Sequence, residues 1–321
     1  MTNYHDMEMR VVYAQTLNEL IERNPDIYCL EADLGKASAT IPEVSQRNPR
    51  NYINSGVQEA NMIGVGAGLA REGKIPFCAT FTAFATRRCY DQLTISVAYA
   101  NNNVKIIGTS PGITQGPNGG THMCFQDLAI MRAMPNMHVY SPADSNELRA
   151  VMFHMAATRQ PTYMQLVRPK MPKLFEDGCS FDPLRAKRLH EGTDVTLVAT
   201  GFMTRFALDV ARQLEREGLT VDLLHYPSVK PFDAKTLIDS ARKTGAVVTV
   251  ENQSIVGGLG SAVCEVLSEQ HPVRVKRLGI PDQFGEVADQ DYLFAKHEFG
   301  PEHIGRTCRE LSRSPHWRSK A

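Results

Sequence analysis

Glu59 stands where a short polar turn, residues 54–58, gives way to a run of small residues that includes Gly64, Gly66, Ala67, Gly68 and Ala70. A carboxylate in the first turn of a helix complements the helix dipole; the same group, facing a ligand, could instead share a proton with it. Each helical glycine costs about 1 kcal/mol relative to alanine, so something is expected to pack closely against this helix and offset them. Other residue types suited to a site gather in three places. The segment Glu31 to Ser38 leaves an apolar strand and holds Asp33 and Ser38; Phe81 and Phe84 lie three residues apart; Ser110 to Thr121 is a long Gly- and Pro-rich loop that carries Ser110 and Asn118 and ends at His122. Long loops at strand ends are commonly functional.

The elements that must position these residues follow from hydrophobic periodicity. Apolar residues at helical spacing run from Met9 to Arg23, and Asn24-Pro25 ends that pattern before a strand at Ile27 to Leu30. Further strands are expected at Tyr52-Ile53, Ile75 to Phe81, Val104 to Thr109, Met137 to Tyr140 and Thr162 to Val167, with helices after Glu59, from about Phe84 to Ala100, after Asp127 and from Ala143 to Ala157. Strands alternating with helices imply a parallel, doubly wound sheet, and such sheets carry their chemistry on the loops at the carboxyl ends of the strands. A linker is expected at about 168 to 190, followed by a smaller βα series with strands at Val195 to Ala199, Val221 to Leu224 and Val247 to Glu251. Gly257-Gly258-Leu259-Gly260 lacks the Gly-x-Gly-x-x-Gly register and comes late in its domain, so it reads as tight strand-to-helix packing rather than a nucleotide site.

The 321 residues suit about two domains, and 42% hydrophobic residues suffice for two cores. Thirty-five basic and thirty-five acidic residues cancel, which gives no electrostatic case for nucleic acid or an anionic membrane as partner. Seven scattered cysteines without a Cys-x-x-Cys pair point to reduced thiols and a cytoplasmic location. Thr2 to Asp6 show no secretory pattern, and no apolar run reaches the roughly 20 residues that span a bilayer.

Taken together, the motifs resemble the C-terminal half of transketolase. Gly56 to Ala70 is similar to that family's glutamate-centred helix, and Phe77 to Arg87 with Tyr90-Asp91-Gln92 is similar to its aromatic stretch. Asn118 to His122, Met131 to Met137, Pro142 to Asp144 and Val250 to Gly260 continue the likeness in the family's order over nearly the whole chain. The resemblance implies a pyrimidine-binding domain over 1–180 and a transketolase C-terminal domain over 181–321. The family's diphosphate and metal segment, Gly-Asp-Gly followed at a distance by Asn, is not found. A separate N-terminal subunit would then supply the hold on the diphosphate and on magnesium (Mg2+), with no metal ligand in this chain and two copies of each subunit in a heterotetramer.

By that resemblance the cofactor is thiamine diphosphate. Glu59 would share a proton with the far nitrogen of its pyrimidine, Phe84 and Phe81 would wall the ring by stacking, and Asp33 would lie near the thiazolium. His122 would reach the sugar, while Arg10, Arg168 and Ser38 would hold its phosphate. Two departures bear on the substrate. Many transketolases have a histidine where this chain reads Thr109-Ser110-Pro111, and an aspartate where it has Asn118. The implied reaction is transfer of a two-carbon ketol unit from a ketose to an aldose, with an anionic sugar that need not be an ordinary pentose phosphate. The beta subunit of a 2-oxo-acid dehydrogenase's decarboxylating component, a deoxyxylulose phosphate synthase-like half, and a non-catalytic partner remain as alternatives.

Overall fold

The computed structural model describes residues 7–176, 178–179 and 181–313. Thr2 to Asp6 and position 180, where the expected domain boundary falls, lie outside the described residues. Helix α1 (Met9–Arg23) leads into β1 (Ile27–Glu31), and α2 (Glu59–Arg71) connects β2 (Tyr52–Asn54) to β3 (Ile75–Phe81). A broken helix follows: α3 (Thr82–Ala85), a 3-10 turn at Arg87–Cys89, α4 (Tyr90–Gln92) and a π-helical stretch at Leu93–Tyr99. Then come β4 (Lys105–Thr109), α5 (Asp127–Ala133), β5 (His138–Tyr140), α6 (Ser145–Ala157) and β6 (Thr162–Leu166).

The second series comprises β7 (Lys187–His190), β8 (Val195–Ala199), α7 (Met203–Arg216), β9 (Val221–His225), β10 (Ser228–Lys230) and α8 (Ala234–Thr244). It ends with β11 (Ala246–Ser254), α9 (Leu259–Gln270), β12 (Arg274–Ile280), α10 (Gln290–Lys296) and α11 (Pro301–Ser312). Among the described residues no helix is long and apolar enough to cross a membrane.

Two sheets result, in the orders β10-β5-β6-β4-β3-β1-β2 and β12-β11-β8-β9-β7. All pairings are parallel except β10 with β5 and β7 with β9. Strands β4, β6, β8 and β9 are buried along almost their whole length, as a parallel sheet covered by helices on both faces requires. The two-domain α/β reading therefore holds, with two qualifications. The segment expected as linker already contains β7 at its end, and β10 crosses over from the second series to complete the first sheet. Both are short edge strands held by tertiary partners rather than by an apolar run.

The helix expected at about Phe84 to Ala100 is real in extent but not regular. Thr82, Thr86 and Thr94 explain part of this, because the hydroxyls of Thr86 and Thr94 bond the carbonyls of Thr82 and Tyr90 one turn back, each at 2.7 Å, a use that bends helices. The glycines of α2 also divide. A Cβ on Gly66 would lie 2.7 Å from the Cys78 sulfur on β3, so this glycine lets helix and sheet approach; Gly64 and Gly68 have nothing within 4 Å and face outward. The packing expected for the whole run is met within this chain at Gly66 alone of these three.

Candidate functional site

The carboxyl ends of the first sheet lie level: Glu31 is in register with Asn54 and Ala79, and Phe81 with Thr109, which pairs with Leu166. Every predicted site residue on a loop follows one of these ends. The result is a crevice along the sheet edge, the usual place for ligands in such folds.

One recess in the crevice is lined by Arg10, Ser38, Phe81, Ser110 and Arg168, together with Glu31 and Thr80. Its floor is short of hydrogen bonds. The Ser110 and Thr80 hydroxyls and the Glu31 Oε2 are buried without a partner among the described residues. The recess is narrow, about 10 Å³, with room for roughly one water-sized group; buried polar atoms are normally satisfied, so three orphans along it mark a place for a single polar atom of a ligand or water. Ser110 is also held at φ 56°, a strained backbone for a residue with a side chain. The Arg10 guanidinium is steered by Glu8 and by the Ala37 carbonyl at 2.9 Å, whereas that of Arg168 has no bonded partner among the described residues. The Ser38 hydroxyl is turned inward, donating to Glu31 Oε1 at 2.8 Å; Thr40 donates to the same oxygen at 2.7 Å. Burial pushes the Glu31 carboxyl up to about 7, against the lowering effect of the Thr40 and Ser38 bonds.

The second group is built around Glu59, the first residue of α2, which is only 4% exposed. Arg88 donates to Glu59 Oε2 at 2.8 Å while its guanidinium carbon lies 3.9 Å over the centre of the Phe84 ring. Phe81, Phe84 and His122 meet edge to face, with ring centres 5.2 to 6.2 Å apart. Thr121 bonds His122 Nδ1 at 2.9 Å, and Arg87 holds the Thr121 carbonyl at 2.9 Å. Phe84, Arg87, Arg88, Thr121 and His122 line an open hollow, and Phe81 belongs to both groups.

The second domain fixes the loop between them. Asn252 on β11 accepts from the Ile113 amide at 3.1 Å and donates to the Pro111 carbonyl at 3.0 Å. Gly112, at φ 58°, permits this: a Cβ there would stand 1.9 Å from the Asn252 carbonyl oxygen.

Two predicted residues stand apart. Asp33 is exposed and tied to Asn54, whose Oδ1 accepts the Asp33 amide at 3.1 Å. Asn118 is exposed at the end of a 3-10 turn and lines neither recess. Conversely, Glu31, Thr80 and Arg88 are site residues that the sequence does not single out. An acid closing an apolar strand and an arginine pair inside an aromatic stretch are the signals it offers.

The family models "Transketolase, pyrimidine binding domain" and "Transketolase, C-terminal domain" match residues 5–173 and 184–304. The 6-deoxy-6-sulfo-D-fructose transketolase subunit of Clostridium sp. (strain MSTE9) is 46% identical over 308 residues, 96% of this chain and 93% of that protein. An apulose-4-phosphate transketolase subunit of Phocaeicola vulgatus is 32% identical over 94% of this chain and 96% of its own length. Among solved structures, a split gene transketolase described as an inactive beta4 tetramer superposes with a TM-score of 0.86 at 39% identity, covering 95% of this chain and 98% of that one. On the two family models and these full-length likenesses, the chain belongs to the transketolase family, in the split-subunit form that joins the pyrimidine-binding domain to the C-terminal domain.

Proposed function

We propose that the chain is the C-terminal half of a split, thiamine diphosphate-dependent transketolase that moves a two-carbon ketol unit from an anionic ketose to an aldose. The observation that carries this reading is the Arg88 bridge. A flat, N–H-bearing guanidinium already lies over Phe84 and donates to the buried Glu59, so the space between ring and carboxylate fits a flat nitrogen heterocycle. When bound, thiamine diphosphate supplies the carbon nucleophile that no side chain of the chain offers.

In this reading Glu59 holds the proton shared with the pyrimidine nitrogen, and Phe84 and Phe81 wall the ring. Arg88 yields its place to that ring. Asp33 serves the thiazolium side through the Asn54 tie, and His122 reaches the sugar. Arg10 and Arg168 hold the anionic end, with Ser38 beside them, and Ser110 and Asn118 read the hydroxyl pattern.

The diphosphate and Mg2+ fall to an N-terminal partner subunit, in a two-plus-two heterotetramer in which copies of this chain also meet one another. Exposed Val57, Ile95 and Tyr99 supply apolar surface for such contacts. Seven free cysteines suit a reducing cytoplasm. The division into 1–180 and 181–321 places the boundary in the interval between the two matched segments.

The test is a panel of ketose donors, phosphorylated, sulfonated and uncharged, offered with one aldose to the assembled pair. An anionic ketose other than xylulose phosphate is expected to lead. Xylulose phosphate leading by a wide margin would contradict the weight given to Ser110 and Asn118.

A further inference from the structure

The recess that holds Arg10 and Arg168 contains a third ionisable group that the ketol-transfer reading does not use. Glu31 ends β1, is fully buried, and has two unequal oxygens. Oε1 accepts from Ser38 and Thr40 at 2.8 and 2.7 Å; Oε2 accepts from nothing among the described residues. Tying down the 34–40 turn needs only Oε1. An acid buried with a bare oxygen, on a wall shared with two guanidiniums and the unpartnered Ser110 hydroxyl, is arranged for a ligand that completes the set.

We propose that Glu31 is a specificity-determining residue: as the neutral acid, it donates a hydrogen bond through Oε2 to a head-group oxygen of a sulfonated ketose held by Arg10 and Arg168. The proposal rests on the ketol-transfer reading and names the substrate class of that same site.

The chemistry favours a sulfonate for a definite reason. A phosphate ester titrates near pH 6, so near neutrality it can bring the shared proton itself. A sulfonate has no proton to give, and an ionised Glu31 would oppose it in a poorly solvated recess. The proton must therefore reside on the protein.

The groups facing Glu31 leave it there. Tyr13 on α1, Cys29 on its own strand, Tyr52 on β2 and Cys78 on β3 are neutral acids whose ionisation its charge opposes. On the recess side, Arg10 is engaged with Glu8 and the Ala37 carbonyl, and Arg168 is bonded to no acid among the described residues.

Kinetics of the assembled pair test this with 6-deoxy-6-sulfofructose and fructose as alternative donors at pH 6 and pH 8. One proton taken up by a group titrating at about 7 makes the KM for the sulfonated ketose rise about tenfold over that interval, while the KM for fructose stays level. Glu31→Gln keeps an acceptor for Ser38 and Thr40 and turns an amide N–H donor toward the recess, so the tenfold rise should vanish. A rise that persists in Glu31→Gln, or that appears equally with fructose, overturns the proposal. Difference infrared spectra of the assembled pair, recorded without thiamine diphosphate so that no transfer occurs, separate this outcome from a failure of the transferase reading. A protonated-carboxyl band absent from Glu31→Gln should disappear near pH 7 and shift when the sulfonated sugar is added, whether or not the pair turns over. A band that ignores the sugar counts against Glu31 alone.

Discussion

Glu31 and Glu251 are the same residue type at the same depth, each fully buried and each pushed up to about 7 by burial. Their surroundings differ. Glu251 receives the Leu259 and Gly260 amides at the start of α9, one on each oxygen at 2.8 Å, while a Cβ on Gly258 would lie 1.9 Å from its Oε2. That explains the late glycine run: it lets a helix end close over a carboxylate. Glu31 has one oxygen satisfied and the other bare on a recess wall. A perturbed acid is a candidate for function where an unspent oxygen and room for a ligand atom accompany it; where each oxygen already has a donor, burial serves the fold.

The largest effect expected lies in the other half of the crevice. Glu59→Gln in the assembled pair is nearly isosteric but cannot share the proton, and should lower ketol transfer about 100- to 10,000-fold, with assembly by light scattering unchanged. Retention of most of the turnover would remove Glu59 from the chemistry.

Next comes Arg168→Ala, which deletes a charge-assisted contact worth roughly 1.5 to 3 kcal/mol when partly desolvated. The KM for an anionic ketose should rise about 10- to 150-fold, with a smaller change for fructose. Equal changes for both sugars would deny the anion clamp.

Smaller still are effects on stability, where the two glutamates should part. Glu251→Gln leaves an amide group facing one of two backbone N–H donors, at a cost of about 1–3 kcal/mol. Glu31→Gln keeps its acceptor and meets only the recess, so urea denaturation should place it nearer to wild type than Glu251→Gln. Both carboxyls hold their protons to higher pH in the folded chain than their ordinary value of 4.5. Their contributions to stability are therefore full below about 4.5 and decline as pH rises through about 7. Each Gln variant should flatten part of that decline.

Much of this was legible in the sequence, for physical reasons. Ile75 to Phe81 and Val195 to Ala199 are apolar runs whose limits match β3 and β8, because a strand buried on both faces needs apolar side chains throughout. Glu59, Phe84 and His122 were legible through family motifs, and the structure gathers them. The edge strands β7 and β10 were not, since Lys187 to His190 and Ser228 to Lys230 owe their form to partners distant in sequence. Glu31 escaped notice because sequence gives no account of which carboxylate oxygen is left bare. Arg88 escaped because its place between Glu59 and Phe84 depends on how a broken helix turns.

The central claim is that this chain holds half of a shared site, and it is tested most directly by measuring ketol transfer from a sulfonated ketose to an aldose with thiamine diphosphate and Mg2+ present. Three samples suffice: this chain alone, the diphosphate-binding subunit alone, and the two mixed. Transfer by the mixture only is the predicted result; transfer by this chain alone, or none by a mixture shown to assemble, would contradict it.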